Sequence, residues 1–143
     1  MKLAIGGDHA GFQLKAELID HLRKVGHEVV DAGCHSAVPV DFPDIAKSVC
    51  AAVCSGDAER GIMVCGTGVG AAIACNKMRG VRAAVCHDVH SSHQAVEHDN
   101  VNVMCLGAKI VGPWLARDLL DAFLEARFDA TEDHVRRIAK LET

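Results

Sequence analysis

Short apolar segments alternate with helical patterns along the whole chain, and this alternation limits the possible folds more than any other feature. The apolar segments predict five strands, at residues 2–6, 28–32, 61–64, 81–86 and 101–106. Helical spacing predicts helices over about 12–25, from Pro43 onward, from about 71 to 77, and over about 89–97, 113–126 and 133–141. Such alternation implies a three-layer α/β fold, with a mostly parallel five-stranded sheet and helices on both faces. At 143 residues the chain is long enough for one domain but too short for two, so we expect a single domain over 1–143.

Composition and charge exclude several classes of function. Half of the residues are hydrophobic, yet no apolar run approaches the roughly 18 residues needed to span a membrane. The apolar part of the N-terminus is too short for a signal peptide. The net charge is −4 without long runs of one sign, so nothing indicates a nucleic-acid partner. We therefore expect a cytoplasmic protein that binds neither nucleic acid nor a membrane.

The chain is rich in cysteine, but its seven cysteines include no CxxC pair and no zinc-type spacing. Most lie inside apolar runs, and Cys50 and Cys54 lie four residues apart on a predicted helix, where both are expected to face the core. We interpret most of them as small buried hydrophobic residues in a reducing compartment. Cys65 differs, because it ends a predicted strand and opens a glycine-rich loop.

That loop, Cys65-Gly66-Thr67-Gly68-Val69-Gly70, joins a buried strand to the start of a helix. Converging backbone N–H groups at such a junction suit an anion, and a thiol beside a helix N-terminus tends towards thiolate chemistry. A tight turn around a buried thiol, or a nucleotide-binding loop, would look similar. The full dinucleotide fingerprint is missing, since Cys86 stands where an acidic residue would follow. The loop favours catalysis on a small anionic molecule.

Polar residues follow the other predicted strands as well. Asp8 and His9 come after the first strand, His87 after the fourth and Lys109 after the fifth. Ligands of parallel α/β folds bind outside the carboxyl ends of the strands, so these residues are expected to converge with the Cys65 loop at one edge. The alternative for the first pair is that Asp8 caps the following helix and His9 lies on the surface.

Two further clusters allow a functional and a structural interpretation. His98 lies between a helix end and a buried strand, where it is well placed as an acid or base. Arg136, Arg137 and Lys140 give the last helix a basic face, which is either solvated surface or a source of phosphate ligands. The three-residue spacing of the histidines from His87 onward predicts no metal site, because these side chains drift around the helix and no further ligand completes a set.

Several segments, taken in order, match one family over nearly the whole chain. They are Gly7-Asp8-His9-Ala10-Gly11, Asp41-Phe42-Pro43-Asp44, Cys65 to Gly70, Asn76-Lys77, Gly80 to Ala84, Cys86-His87-Asp88, His98 to Asn102, Leu106 to Lys109 and His134 to Arg137. On these segments the chain resembles the B-type ribose-5-phosphate isomerases, a group that includes galactose- and allose-6-phosphate isomerases. The resemblance implies a three-layer Rossmann-like fold.

The resemblance also implies an aldose–ketose isomerase that uses no metal or organic cofactor. Cys65 is then the base that moves a proton between C2 and C1 through a cis-enediolate, which the loop amides and Thr67 stabilise. His98 helps to open the sugar ring and comes from the neighbouring subunit of a homodimer or homotetramer. The C-terminal helix, about 133–141, is expected to pack on that partner. The implied substrate-binding residues are Asp8, His9, Gly66, Gly68, Val69, Gly70, Asp99, Lys109 and Arg137.

Four positions depart from the family pattern and concern the choice of substrate. Asp99 replaces an asparagine, Lys109 an arginine, Asp133 an arginine and Phe42 a tyrosine. Interconversion of ribose 5-phosphate and ribulose 5-phosphate is the expected reaction. Isomerisation of another aldose phosphate, such as allose or galactose 6-phosphate or a tetrose phosphate, is the alternative within the class. A non-catalytic module that binds a phosphosugar or nucleotide is the alternative outside it.

Overall fold

Strands and helices alternate through residues 1–142, the part of the chain that the computed structural model describes. The strands are β1 (Lys2–Gly7), β2 (Glu28–Asp31), β3 (Arg60–Cys65), β4 (Ala83–Val85) and β5 (Val103–Gly107). The helices are α1 (Phe12–Lys24), α2 (Phe42–Cys54), α3 (Val69–Cys75), α4 (Val89–Asp99), α5 (Pro113–Glu125) and α6 (Glu132–Leu141).

The strands form one sheet in the order β2-β1-β3-β5-β4, and each neighbouring pair is parallel. Helices α1, α4 and α5 pack together on one face of the sheet, whereas α2 and α3 cover the other. Helix α6 lies outside these layers, against α4. The prediction of a three-layer α/β fold with a five-stranded sheet is confirmed.

The two faces of the sheet are packed with side chains of different size. Leucine and isoleucine dominate the core under α1, α4 and α5, which also contains Phe123. Alanine, valine and cysteine fill the core under α2 and α3, where Cys50, Cys75 and Cys105 are fully buried. Contact with Cys105 and burial raise the pKa of the Cys75 thiol to about 12, so this thiol stays neutral and acts as a small apolar group.

Most cysteines are buried as predicted, but the expectation for Cys54 is wrong. It is exposed, because α2 ends at this residue and its thiol points to the carbonyl oxygen of Arg79 at 3.6 Å. Burial raises the pKa of the Cys86 thiol to about 11, so this side chain too has no tendency to ionise near neutral pH.

Two predicted boundaries differ from the structure. Strand β4 is shorter than the predicted 81–86 and begins only at Ala83, because the N–H of Arg82 donates to the side chain of Asn102 at 2.8 Å and not to a strand. Helix α4 extends two residues past the predicted end and stops where Asn100 takes a left-handed conformation, with φ of 48°. His98 and Asp99 therefore lie in the last turn of α4 and not in a loop.

Close packing of the chain after β1 on the end of β3 requires glycine at position 11. A Cβ atom at Gly11 would lie 2.1 Å from the carbonyl oxygen of Val64, whereas one at Gly112 would meet no atom within 4 Å. We expect Gly11→Ala to lower the free energy of unfolding by about 1–3 kcal/mol or more, because backbone must move. Gly112→Ala, at a φ of −81° that alanine adopts freely, should change it by less than about 0.5 kcal/mol. Urea unfolding of both variants checks this difference, and equal midpoints would contradict it.

Candidate active site

The strand ends at the centre of the sheet form the crevice in which this fold places ligands. The chain leaves β3 towards α3 on one face, while it leaves β1 and β5 towards α1 and α5 on the other. The connections therefore diverge on both sides of β3, and a crevice opens at its carboxyl end. Cys65 is the last residue of β3, so its side chain and the loop after it lie at this point.

The glycine loop folds back on the thiol of Cys65. Gly68 takes a left-handed conformation with φ of 82°, which turns its N–H onto the sulfur of Cys65 at 3.0 Å. Cys65 is 5% exposed as a residue, so it is screened from solvent but not sealed off. At Gly70 a Cβ atom would lie 2.7 Å from the ring of Phe42, and a larger residue there would separate α2 from α3. The loop thus holds a single thiol against a backbone donor at the crevice.

Asp8 and His9 lie at the end of the neighbouring strand β1. The Oδ1 atom of Asp8 accepts hydrogen bonds of 3.0 Å from the N–H groups of Ala10 and Gly11, so Asp8 organises the turn before α1. His9 accepts a hydrogen bond of 3.2 Å from the N–H of Val40 through Nδ1. Because Nδ1 accepts, the proton of the neutral ring resides on Nε2, which can donate to a ligand.

Lys109 reaches the same place from β5. Its N–H donates to the carbonyl oxygen of Gly66 at 3.0 Å, and Ala108 donates to that of Cys65 at 2.7 Å. Its side chain passes along the loop, with Cδ 3.9 Å from the place that a Gly66 Cβ atom would take. The structure therefore brings Asp8, His9, Lys109 and the loop from Cys65 to Gly70, with Thr67 and Val69, to one edge of the sheet. We call this set the strand-end site.

His98, Asp99 and Arg137 lie outside the strand-end site. Helix α4 starts at the carboxyl edge of the sheet and runs 11 residues back, a length of about 16 Å. Its last turn, with His98 and Asp99, is consequently at the opposite edge from Cys65. Arg137 is on α6, which packs against α4. Within a single chain, these three residues are therefore not part of the strand-end site.

A second group of polar side chains surrounds His98. Its ring stacks on that of His134 with centroids 4.6 Å apart, and His134 donates from Nδ1 to the carbonyl oxygen of Asp129 at 2.7 Å. We call His98, Asp99, His134 and Arg137 the α4–α6 cluster. A cavity of about 810 Å³ lies beside this cluster and not at Cys65. Sequence reasoning gave His134 no role, since no spacing pattern links residues on two different helices.

The arginines on the basic face of α6 form ion pairs with an acidic residue of the same helix. Asp133 contacts Arg136 at 2.6 Å and Arg137 at 3.4 Å. Both arginines are more than half exposed, so these ion pairs hold the side chains in place without removing them from solvent. Within residues 1–142, no group of His, Cys, Asp or Glu has the arrangement of a metal site. None of the described helices is long and apolar enough to cross a membrane.

Comparison with known proteins gives matches along almost the entire chain. Residues 3–141 match the family described as Ribose/Galactose Isomerase. Ribose-5-phosphate isomerase B of Escherichia coli (strain K12) is 42% identical over 137 residues, which cover 96% of this chain and 91% of that protein. D-erythrulose-4-phosphate isomerase of Pectobacterium atrosepticum is 39% identical over 133 residues, covering 90% of this chain and 86% of that protein. The structure of Clostridium thermocellum ribose-5-phosphate isomerase B is similar with a TM-score of 0.97 and 44% identity, covering 99% of this chain and 95% of that one.

Proposed function

Because the chain belongs to the ribose/galactose isomerase family and is a sugar-phosphate isomerase, we propose that it interconverts ribose 5-phosphate and ribulose 5-phosphate through a cis-enediolate. The observation that carries this proposal is the Cys65 thiol, held by the Gly68 N–H at 3.0 Å in the crevice between β1, β3 and β5. A binding protein would need an anion cradle there but no thiol. The cytoplasm is the proposed compartment, in agreement with seven free cysteines.

In the proposed reaction Cys65 is the base. Its thiolate takes the proton from C2 of the open-chain aldose, the C–H electron pair forms the C1–C2 double bond, and negative charge develops on O1. The thiol then returns the proton to C1 while the hydroxyl proton of O2 moves to O1, so a carbonyl forms at C2 and the ketose forms without net oxidation. The N–H groups of Gly66, Val69 and Gly70, with the Thr67 hydroxyl, stabilise the charge on the enediolate oxygens, as fixed dipoles do in an oxyanion hole. The Gly68 N–H stays on the sulfur of Cys65 and places the loop against the substrate.

The proposal requires a second subunit, since His98 lies at the opposite edge of its own sheet from Cys65. His98 of the partner subunit would protonate the ring oxygen of the substrate, and Asp99 of that subunit would lie beside the ring. Helix α6 supports such an assembly: it buries none of its residues in its own chain, and Val135 and Leu141 are 50% and 65% exposed. We therefore propose a homodimer, or a tetramer built from such dimers, with α6 packed on the partner.

The remaining polar residues would bind the two ends of the substrate. Asp8 is proposed to accept hydrogen bonds from sugar hydroxyl groups. His9 and Lys109 of one subunit, with Arg137 of the partner subunit, would hold the phosphate through charge-assisted hydrogen bonds. Lys109 supplies a point charge and not a bidentate fork, so the phosphate contact is less directional than with arginine.

A panel of sugar phosphates tests the proposed function and its alternative. Purified protein, with EDTA present, would be assayed on ribose 5-phosphate, allose 6-phosphate, galactose 6-phosphate and erythrulose 4-phosphate. We expect the highest kcat/KM on ribose 5-phosphate and no effect of EDTA. Because one relative is an erythrulose-4-phosphate isomerase, a preference for a tetrose or hexose phosphate would overturn the substrate assignment but not the reaction class.

Asp133 offers a test of the phosphate end of the proposed site. It is paired with Arg136 and Arg137 and would repel a phosphate bound there. Asp133→Asn is expected to lower both KM for ribose 5-phosphate and the inhibition constant of inorganic phosphate by about two- to fivefold, the range of an exposed ion pair. Glu132→Gln removes the same charge from the same turn of α6 without touching those pairs, and should change neither constant. Equal effects of the two substitutions would contradict a specific role of Asp133.

A further inference from the structure

The N–H group of Gly107 lies at the end of β5, beyond the point where the neighbouring strand β4 ends. Strand β4 ends at Val85, which pairs with Cys105, so β5 continues beyond the last residue of its outer neighbour. The N–H of Gly107 instead donates a hydrogen bond of 2.9 Å to Nε2 of His87, just after β4. A side chain thus takes the place of a strand partner at the carboxyl end of β5.

Gly107 in turn supports the loop that carries the proposed oxyanion donors. It pairs with Cys65 in the register of β3 and β5. It also lies directly against Thr67, since a Cβ atom on Gly107 would be 2.7 Å from the Cα atom of Thr67. A shift of Gly107 would therefore displace both the thiol and the backbone of the loop.

The hydrogen bond requires an unprotonated Nε2, because only a nitrogen lone pair can accept from the Gly107 N–H. The neutral ring must then carry its proton on Nδ1. A residue with no acceptor at this position would leave a backbone N–H without its protein partner, which favours a movement of the end of β5 towards another acceptor.

We propose that His87 is a positioning residue of the isomerase, which fixes Gly107 and through it the Thr67 loop around Cys65. This inference rests on the proposed function of that loop. In this role His87 acts through Gly107, whose N–H it accepts from, and not on the reacting atoms. His87 contributes only a hydrogen-bond acceptor, which must lie as far from its own backbone as Nε2 does.

Two substitutions by residues with amide side chains distinguish the effect of losing the acceptor atom from the effect of losing the imidazole ring. In His87→Gln the Oε1 atom stands at the reach of Nε2 and can accept from Gly107, whereas in His87→Asn the Oδ1 atom falls short. Both variants delete the imidazole, so any loss of packing is shared and their difference reports the hydrogen bond. His90→Asn, at an exposed position on α4, is the control for loss of a histidine and should leave kcat unchanged.

We expect His87→Asn to lower kcat about ten- to a hundredfold, as a small misplacement of reacting groups does. KM should change by less than about threefold, because the ground-state contacts to phosphate are elsewhere. His87→Gln should keep kcat within about threefold of the wild type. Equal kcat values for the two variants, or a loss confined to KM, would overturn the proposal.

A readout without substrate keeps this proposal separate from the proposed function. By NMR, the Gly107 amide should exchange with solvent faster in His87→Asn than in His87→Gln, and the Thr67 amide signal should shift only in the former. If the wild type turned over no sugar phosphate, the proposed function would fail, and these two signals alone would decide whether His87 fixes the loop. Identical spectra of the two variants around Thr67 and Gly107 would overturn the positioning role.

Discussion

Cys65→Ala is expected to lower kcat for aldose–ketose isomerisation by about 10³-fold or more, near the upper range for loss of a positioned base. We expect no other group in the strand-end site to replace it, because Oδ1 of Asp8 binds two backbone N–H groups and Nδ1 of His9 accepts from Val40. Initial rates of ribulose 5-phosphate formation under saturating ribose 5-phosphate measure the effect. KM should change little, since the sulfur acts chiefly in the transition state.

The matched control for this prediction is Cys54→Ala. It also deletes a thiol, but at an exposed position at the end of α2. Its kcat should equal that of the wild type, and both variants should unfold within a few degrees of it, because Cys65→Ala removes only one small side chain from the edge of the core. Near-normal turnover by Cys65→Ala would remove this residue from the mechanism.

Co-expression of Cys65→Ala with His98→Ala is expected to restore activity that neither variant has alone. If each site combines Cys65 of one subunit with His98 of the other, both homodimers are inactive. A mixed dimer then has one site with both mutations and one with neither. Random pairing makes about half of the dimers mixed, each with one working site of two, so activity should return to about one quarter of the wild-type value.

The control for restored activity is a pair of variants that cannot complement each other. Thr67→Ala lies in the same strand-end site as Cys65, so a mixed dimer of these two variants has no site free of mutation. Its activity should equal the mean of the two homodimers, with no gain from mixing. If the mixture of Cys65→Ala and His98→Ala likewise gained nothing, each site would have to be built within one chain, and the shared site would be wrong.

The positions of the strand-end residues followed from the sequence because local signals were sufficient. Each of the three central strands ends in glycine or in Cys65, and the rule that parallel strands present ligands at their carboxyl ends brought Asp8, Cys65 and Lys109 together. Burial of Cys75, Cys86 and Cys105 was likewise predictable from the apolar runs around them. These features depend on residues close in sequence, or on a rule shared by all parallel sheets.

Other features depended on contacts that no local pattern contains. The last turn of α4 was predicted as a loop, since neither His98 nor Asp99 favours helix strongly. The turn persists because Asn100 closes the helix with a left-handed residue. The stack of His98 on His134 and the hydrogen bond from Gly107 to His87 join elements far apart in the sequence. Packing alone brings these pairs together.

By itself, the sequence determined the alternation of strands and helices, the thiol at the end of β3 and the family to which the chain belongs. Only the tertiary structure decided that β3 lies between β1 and β5, since strand order is set by which helices pack together and not by any one strand. It also decided that His98 and Cys65 lie at opposite edges of one sheet. The physical reason is the direction of α4. A helix that connects two parallel strands starts at the carboxyl edge of the sheet and must end at the opposite edge, where the next strand begins.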